Sequence, residues 1–515
     1  MNLLRAITTV GGFTLMSRVL GFVRDMLIAA TLGAGLTADA FFVALKFPNL
    51  FRRLFAEGAF AAAFVPIFAG KLESEGRGPA VSFAAQAFSI LALCLTVFVI
   101  VVELAMPWVM QAFAPGFLDD PAKFDLTVLL ARITFPYLIF ISLTSLIAGV
   151  LNSIGRFAAA AATPILLNIC MIGAILLLVP YFETPAHALA WGVCGAGVVQ
   201  LVWLYAALAR EGIVLRLPRP RLTEDIRTLY RRALPVALGA GIYQINLLVD
   251  TVIASLLPSG SISYLFYADR VNQLPLGVVG VAVGTALLPM LSRHVQSGDD
   301  SAAQNGQNRA LEFTLLLTLP AAVALFVIAQ PVISVLFERG AFSHTDAVAT
   351  AKALAVYALG LPAYVLVKAL APGFFAREDT KTPVVIAVAA MAVNVSLSLI
   401  LMGPFLHVGI AMATVISAWL NAACLAIVLR KRGQLILDAR LCSRLPRTIV
   451  AAAIMGLGLY AGLDNAMPWL DGTVVQRASA LAVLVGGGLV VFGLCAQISG
   501  AARISDLAAL RNRAA

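Results

Sequence analysis

The sequence predicts an all-α polytopic membrane protein of about fourteen transmembrane helices, and three observations carry that prediction. Hydrophobic residues make up 61% of the 515 residues and charged residues only 12%, against roughly 45–50% and about 25% in soluble domains. Mean hydropathy is +0.95. Apolar runs long enough to cross about 30 Å of hydrocarbon recur from one end of the chain to the other.

Turn signals and charged loops place the helices in order. The first, 6–32, follows MNLLR and imitates a secretory leader, but Arg18 and Arg24 interrupt the apolar stretch a leader needs, so it is expected to remain as a span. The second, 37–69, carries Pro48 at mid-span, where a bend is expected. The third and fourth, 80–113 and 122–151, flank the loop APGFLDDPAK (114–123), and the fifth and sixth, 158–180 and 186–209, flank YFETPAHA (181–188). REGIVLRLPRPRLTEDIRTLYRR (210–232) is the longest polar connection. Pro218 and Pro220 break it, and the remainder reads as a short amphipathic helix on the anionic inner leaflet. The seventh and eighth helices, 232–257 and 262–292, meet at LPSGSIS (257–263). Helices at 310–337, 346–374, 383–402 and 408–430 follow, the last two joined by GPFLHV (403–408), and 445–464 and 475–499 complete the set.

Alternate loops differ in charge. One set contains Arg5, Lys71 and Arg77, Arg156, Arg210 to Arg232, Arg293 and Arg309, Arg377 and Lys381, Arg430 to Arg447, and Arg503 to Arg513. The other is nearly free of Lys and Arg. Basic loops stay in the cytoplasm, so both termini are expected there. The same bias accounts for the net charge of +10, and no nucleic-acid partner is expected. Six scattered cysteines without a CxxC pattern read as small buried hydrophobes.

The chain repeats itself at an interval of about 224 residues. Gly116-Phe117 answers Gly340-Ala341-Phe342, Gly149-Val150-Leu151 answers Gly373-Phe374-Phe375, and Lys46 answers Arg270. One register shared by distant markers points to duplication. Six helices per unit is an even number, so the two pseudo-symmetric lobes run parallel across the membrane, a recurring transporter plan. The expected organisation is an N-terminal lobe at 1–210, a cytoplasmic amphipathic linker at 211–231, a C-terminal lobe at 232–432, and helices 13 and 14 with a cytoplasmic tail at 433–515.

Ionisable residues fall inside the apolar runs, where each costs at least about 2.5–3.5 kcal/mol facing lipid. On the second helix Asp39, Phe42, Lys46, Asn49, Arg53 and Glu57 succeed one another by three or four residues and form one stripe, with Arg52 beside it. The first helix adds Ser17, Arg18, Gly21, Arg24 and Asp25; the seventh adds Tyr243, Asn246 and Asp250; the eighth adds Asp269, Arg270, Asn272 and Gln273. The cost of lipid exposure turns these groups toward a shared hydrated interior. Pairing of Arg53 with Glu57, of Arg24 near Asp25 and of Asp269 with Arg270 lowers that cost, yet it leaves guanidinium groups over. The planar fork of Arg fits a diphosphate better than a cation or a neutral drug, so the expected cargo is anionic.

No GxxxxGK[ST] motif occurs, which leaves a gradient as the energy source. An interior-negative potential favours outward movement of negative charge by about 2.3 kcal/mol per charge per 100 mV. A cation counterflow would reset the empty carrier. Asp250, with Asn394, Ser398 and Thr414 on helices 11 and 12, offers oxygen ligands suited to Na+; pairing of Asp250 with an Arg is the alternative. The four histidines lie far apart, no other cofactor is expected, and GVVGVAVG (277–284) reads as a small-residue packing face. Other readings of the residues stay open: export of a different lipid-linked oligosaccharide or a drug, a membrane enzyme acting on polyprenyl phosphates, or a division-machinery scaffold. An exporter of cationic drugs would want an acidic or aromatic cavity, the enzyme a carboxylate or His constellation near a membrane face, and the scaffold no buried charge.

The opening 68 residues, with SRVLGFVRD (17–25), DAFFVA (39–44), FPNLFRRLFAEGAF (47–60), YADR (267–270) and KxLAPGFFAREDTKTP (368–383), resemble the MurJ/MviN lipid II flippases of the multidrug/oligosaccharidyl-lipid/polysaccharide exporter superfamily, over essentially the whole chain. The resemblance implies movement of lipid II, an undecaprenyl-pyrophosphate-linked disaccharide pentapeptide, from the inner to the outer leaflet of a bacterial cytoplasmic membrane for peptidoglycan synthesis, alongside membrane lipids and cell-wall synthesis proteins. It implies that Arg18, Arg24, Asp39, Arg52, Arg53 and Arg270 are essential cavity residues, with Ser17, Asp25 and Glu57 beside them. Lys46 and Asn49 join that set by their place on the stripe. It also implies that helices 13 and 14 wall a groove for the lipid tail.

Overall fold

The computed structural model describes the backbone over residues 3–52 and 59–502 and, within it, all side chains except those of 3–8, 59, 61–62, 235–247, 278 and 281–286. Among the described residues the chain is helical, with no strand. Among the described residues, nine segments are at once long and apolar enough to cross a membrane, from Arg77–Phe113 to Val474–Ser499. Packing divides the chain into two compact units, Met1–Ser263 with Arg339–Phe342, and Tyr264–Glu338 with Ser343–Ala515.

The first unit begins with α1 (Leu3–Leu32) and α2 (Leu36–Arg52), followed by α3 (Ala59–Ser74) and the long α4 (Arg77–Phe113). The expected fourth helix is two, α5 (Pro121–Thr134) and α6 (Tyr137–Ser153), because Pro136 has no amide to continue the ladder. Phe135 at this break stacks on Phe47 at 4.8 Å, and Phe47 meets Phe113 edge-on at 5.3 Å, so α2, α4 and the break share one aromatic core. Next come α7 (Phe157–Gly173), which ends in a π turn at Ala174–Leu178, and α8 (Pro185–Arg210). The connection expected to hold a separate surface helix instead runs irregularly to Thr223, strapped to α4 by hydrogen bonds from Gln86 and Ser89 to the carbonyls of Pro218, Arg219 and Arg221. Its helical part is the start of α9 (Glu224–Ser255): the Thr223 hydroxyl caps Ile226, and Glu224 and Asp225 suit the positive helix terminus. The segment 232–255, which the repeat groups with the later half of the chain, therefore packs in the first unit.

The repeat is visible in atomic contacts within this unit. Gly116 packs so closely on the end of α9 that a Cβ there would lie 2.2 Å from the Ser255 carbonyl oxygen. Its counterpart Gly340 does the same at the end of α1, with its Cβ position 2.2 Å from the Ala30 oxygen, while the Ala341 amide donates to that oxygen at 2.8 Å. Gly340 also has φ +60, in the left-handed region. Gly340→Ala should therefore lower stability by about 1–3 kcal/mol, seen as a lower melting temperature of the detergent-solubilised protein.

The second unit contains α10 (Ser261–Gln296, from Tyr264 onward), α11 (Asp300–Val327), α12 (Ala329–Phe337), α13 (His344–Phe375), α14 (Lys381–Lys431), α15 (Ala439–Leu470) and α16 (Val474–Ser499). The expected eleventh and twelfth helices run together as α14, interrupted at Leu406, whose φ of 50 and ψ of −134 are not helical. Val279, Leu287 and Leu291 of α10 share a core with Val365, Ala369 and Phe374 of α13. Glu312 of α11 gathers Arg309, Arg440 and Arg444, tying α11 to the start of α15. The cysteines form no disulfide; Cys94 and Cys442 are exposed rather than buried, and the other four are half-buried.

The loop between α13 and α14 is fixed by Asp379, which accepts from Arg432 at 2.6 Å and from the Thr382 hydroxyl at 2.6 Å. The Arg432 bond, followed by Thr382, holds the Asp379 carboxyl well below the usual carboxylate range. A depressed folded pKa means that the stabilisation is present above the ordinary Asp range and disappears as pH falls through the folded value. Melting temperature should accordingly fall less on acidification in Asp379→Asn than in the wild type.

Candidate substrate site

On α1, Ser17, Gly21 and Arg24 lie on one side, and α7 packs against it through Asn168. Arg24 donates from Nε and Nη2 to Asp25 Oδ1 at 3.0 and 2.7 Å, and from Nη1 to Asn168 Oδ1 at 2.9 Å. The Asn168 amide in turn donates to the Ser17 carbonyl at 2.9 Å. Ser17 thus contributes its backbone rather than its hydroxyl to this bond. Asp25 and Asn168 are buried, whereas the Arg24 side chain keeps 18% exposure. The guanidinium is aimed by two buried acceptors with part of its edge left open. Arg18, less than two turns earlier, is exposed and bonds to no described residue.

Asp39 occupies a different setting. It sits in the first turn of α2, 1% exposed, and its carboxylate receives Lys123 Nζ at 2.9 Å, the Gly260 amide at 2.7 Å, and the Ser263 amide and hydroxyl at 2.9 and 2.6 Å. Two of these donors are backbone amides at the beginning of α10, where a helix start favours an anion. Lys123 also donates to Ser259 at 3.0 Å and lies 4.1 Å above the Phe117 ring. Asp39 and Ser263 are 224 residues apart, the interval of the repeat. The carboxylate is consumed by the protein's own donors and joins α2, α5 and the start of α10.

Farther along α2, Lys46 donates to Thr251 on α9 at 3.3 Å, next to Asp250. Asn49 bonds back to the Leu45 carbonyl at 2.8 Å and receives Arg52 Nε at 3.1 Å, so the amide steers Arg52. Arg53 and Glu57 lie outside the described residues, as do the side chains of Tyr243 and Asn246.

In the second unit, the Arg270 guanidinium lies 4.6 Å over the Phe266 ring, and Asp269 receives the Gln273 amide. Asn394 and Ser398, one turn apart on α14, are 1% and 0% exposed, and Thr414 donates to the Ile410 carbonyl at 2.9 Å. Ser398 Oγ is buried without a hydrogen-bond partner among the described residues. Asp250 belongs to the first unit and these three to the second. A groove of about 630 Å³ runs between α15 and α16, lined by Leu459, Gly462, Trp469, Val483, Leu484 and Gly488 among others. Glycines open it: a Cβ on Gly488 would already press on Leu459 at 3.2 Å.

Sequence reasoning did not single out two residues that organise these networks, Asn168 and Lys123. Asn168 is the one amide in the apolar run TPILLNICMIG, which is the signal that marks it. Lys123 stood among loop residues, and only its burial reveals its role.

Charges aimed and neutralised inside apolar helices of the first unit, and an apolar groove within the second, belong to a multi-pass membrane transporter rather than an enzyme. A family profile described as "Lipid II flippase MurJ" matches residues 28–478. The chain belongs to the lipid II flippase MurJ family. It is 47% identical to the "Probable lipid II flippase MurJ" of Rhizobium meliloti (strain 1021), over 98% of this chain and 95% of the relative. It is 39% identical to that of Vibrio cholerae, over 99% and 98%. Among solved structures it resembles "Lipid II flippase MurJ, inward closed conformation" with a TM-score of 0.78 and 25% identity, covering 95% of this chain and 98% of the other. An inward-facing MATE multidrug transporter shares the fold alone, with a TM-score of 0.66 at 13% identity.

Proposed function

We propose that the protein carries lipid II from the inner to the outer leaflet of the bacterial cytoplasmic membrane, with both termini in the cytoplasm. The observation that carries the reading is Arg24, aimed by Asp25 and Asn168 with an open edge inside an apolar helix. Guanidinium groups on α1, α2 and α10 supply the anion-binding chemistry that a pyrophosphate needs. The α15/α16 groove suits a polyprenyl chain, which never has to leave an apolar medium. The head group, by contrast, cannot enter hydrocarbon, so the transporter exposes the same charged residues alternately to each side. The membrane potential favours the outward movement of the negative head. The buried oxygens of Asn394 and Ser398, with Thr414 on the same helix, suit Na+ as a coupling ion. Enzymes of cell-wall synthesis on either side of the membrane are the expected partners, because they make and consume the cargo.

Expression in cells depleted of their own lipid II flippase tests the reading. Wild-type protein should restore growth, and Arg18→Ala and Arg270→Ala should not, at equal membrane abundance. Growth restored by both variants would contradict the role given to the arginines.

A further inference from the structure

Lys368 stands on α13 about two turns before its end at Phe375. Its side chain is exposed and makes no hydrogen bond or ion pair with any described residue. It lies over Gly280 of α10: a Cβ on Gly280 would meet Nζ at 2.9 Å and Cδ at 3.2 Å. Gly280 is near the middle of the 36-residue α10, far from either helix end. A Lys near a helix end ordinarily extends toward the membrane surface; this one reaches across to the centre of a neighbouring helix, into room that glycine provides. Arg270, Gln273, Gly277 and Gly280 succeed one another by three or four residues, so Lys368 lies on the side of α10 that carries Arg270. Ten residues of helix separate the two levels by about 15 Å. A pyrophosphate, two phosphorus atoms sharing one oxygen, is too short to engage both cations.

We propose that Lys368 is a second anion-binding group for the transported head, taking a carboxylate of its peptide while the pyrophosphate belongs to the arginines. The inference rests on the lipid II reading. A compact ammonium with three donors serves a single carboxylate well, whereas the arginine fork suits the diphosphate.

The test measures outward movement in vesicles reconstituted with the full-length protein, using lipid II and lipid II whose peptide carboxylates are capped as amides. On lipid II, Lys368→Gln should be slower by about tenfold and Lys368→Arg close to wild type. On the amide-capped lipid, wild type should itself be slowed about tenfold and Lys368→Gln should match it. Equal loss by Lys368→Gln on both lipids would overturn the carboxylate assignment, and no loss on either would overturn the role of Lys368 altogether. Wild-type protein that moves neither lipid would overturn the lipid II reading and this inference with it. Should Lys368→Gln not fold, Gly280→Ala, whose methyl group displaces the ammonium while keeping it, gives the same comparison.

Discussion

Replacing Asp39 by alanine should lower the unfolding free energy of the solubilised protein by about 3–5 kcal/mol, the cost of leaving a buried partner charge uncompensated. Lys123, 4% exposed, would lose its only ion pair among the described residues, and the Gly260 and Ser263 amides would lose their acceptor. Asp39→Asn should be nearly as harmful, because an amide keeps the shape without the charge. The double variant Asp39→Ala with Lys123→Met should be less destabilised than the sum of its singles, since removing both charges removes the unpaired one. Unfolding monitored by tryptophan fluorescence in detergent reads all three. If Asp39→Ala melted like wild type, the four-donor arrangement around this carboxylate would be wrong.

Arg24→Ala should lower transport by about 10–100-fold without lowering membrane abundance, because it removes an oriented, charge-assisted donor set. Arg24→Lys should not rescue it, since an ammonium cannot span Asp25 and Asn168 while presenting an open edge. Asn168→Leu should keep the charge but release its aim, giving a smaller loss of about tenfold that appears mainly in apparent affinity for lipid II. Transport by Asn168→Leu equal to that of Arg24→Ala would mean that Asn168 holds α1 to α7 rather than merely orienting Arg24.

Much of this was legible in the sequence because lipid imposes few solutions. Hydrophobic run length sufficed for the all-helical membrane class, and the 224-residue interval reappears as the Asp39–Ser263 contact and as the matching close approaches of Gly116 and Gly340. Helix breaks were less visible. Pro136 splits a predicted helix, while the Gly403-Pro404 sequence leaves α14 running on to Leu406, since a proline only marks where a ladder bond is lost and tertiary packing decides whether the helix ends. Among the site residues, the pairing of Arg24 with Asp25 follows from adjacency on α1. The partners that come from distant helices do not: Asn168 and Lys123 reach Arg24 and Asp39 across 144 and 84 residues. The same limit explains why Asp39 reads in the sequence as one more member of a polar stripe, although in the folded chain its oxygens are fully occupied.

The proposed function requires guanidinium groups kept inside apolar helices to admit a pyrophosphate-linked head to the membrane interior. Leaflet sidedness of fluorescent lipid II in vesicles containing the purified protein tests it most directly. Label should move to the opposite leaflet at a rate well above protein-free vesicles, accelerated by a potential negative on the side of origin and slowed about 10–100-fold in Arg24→Ala. Label that stays on its original leaflet, or moves equally with Arg24→Ala, would contradict it.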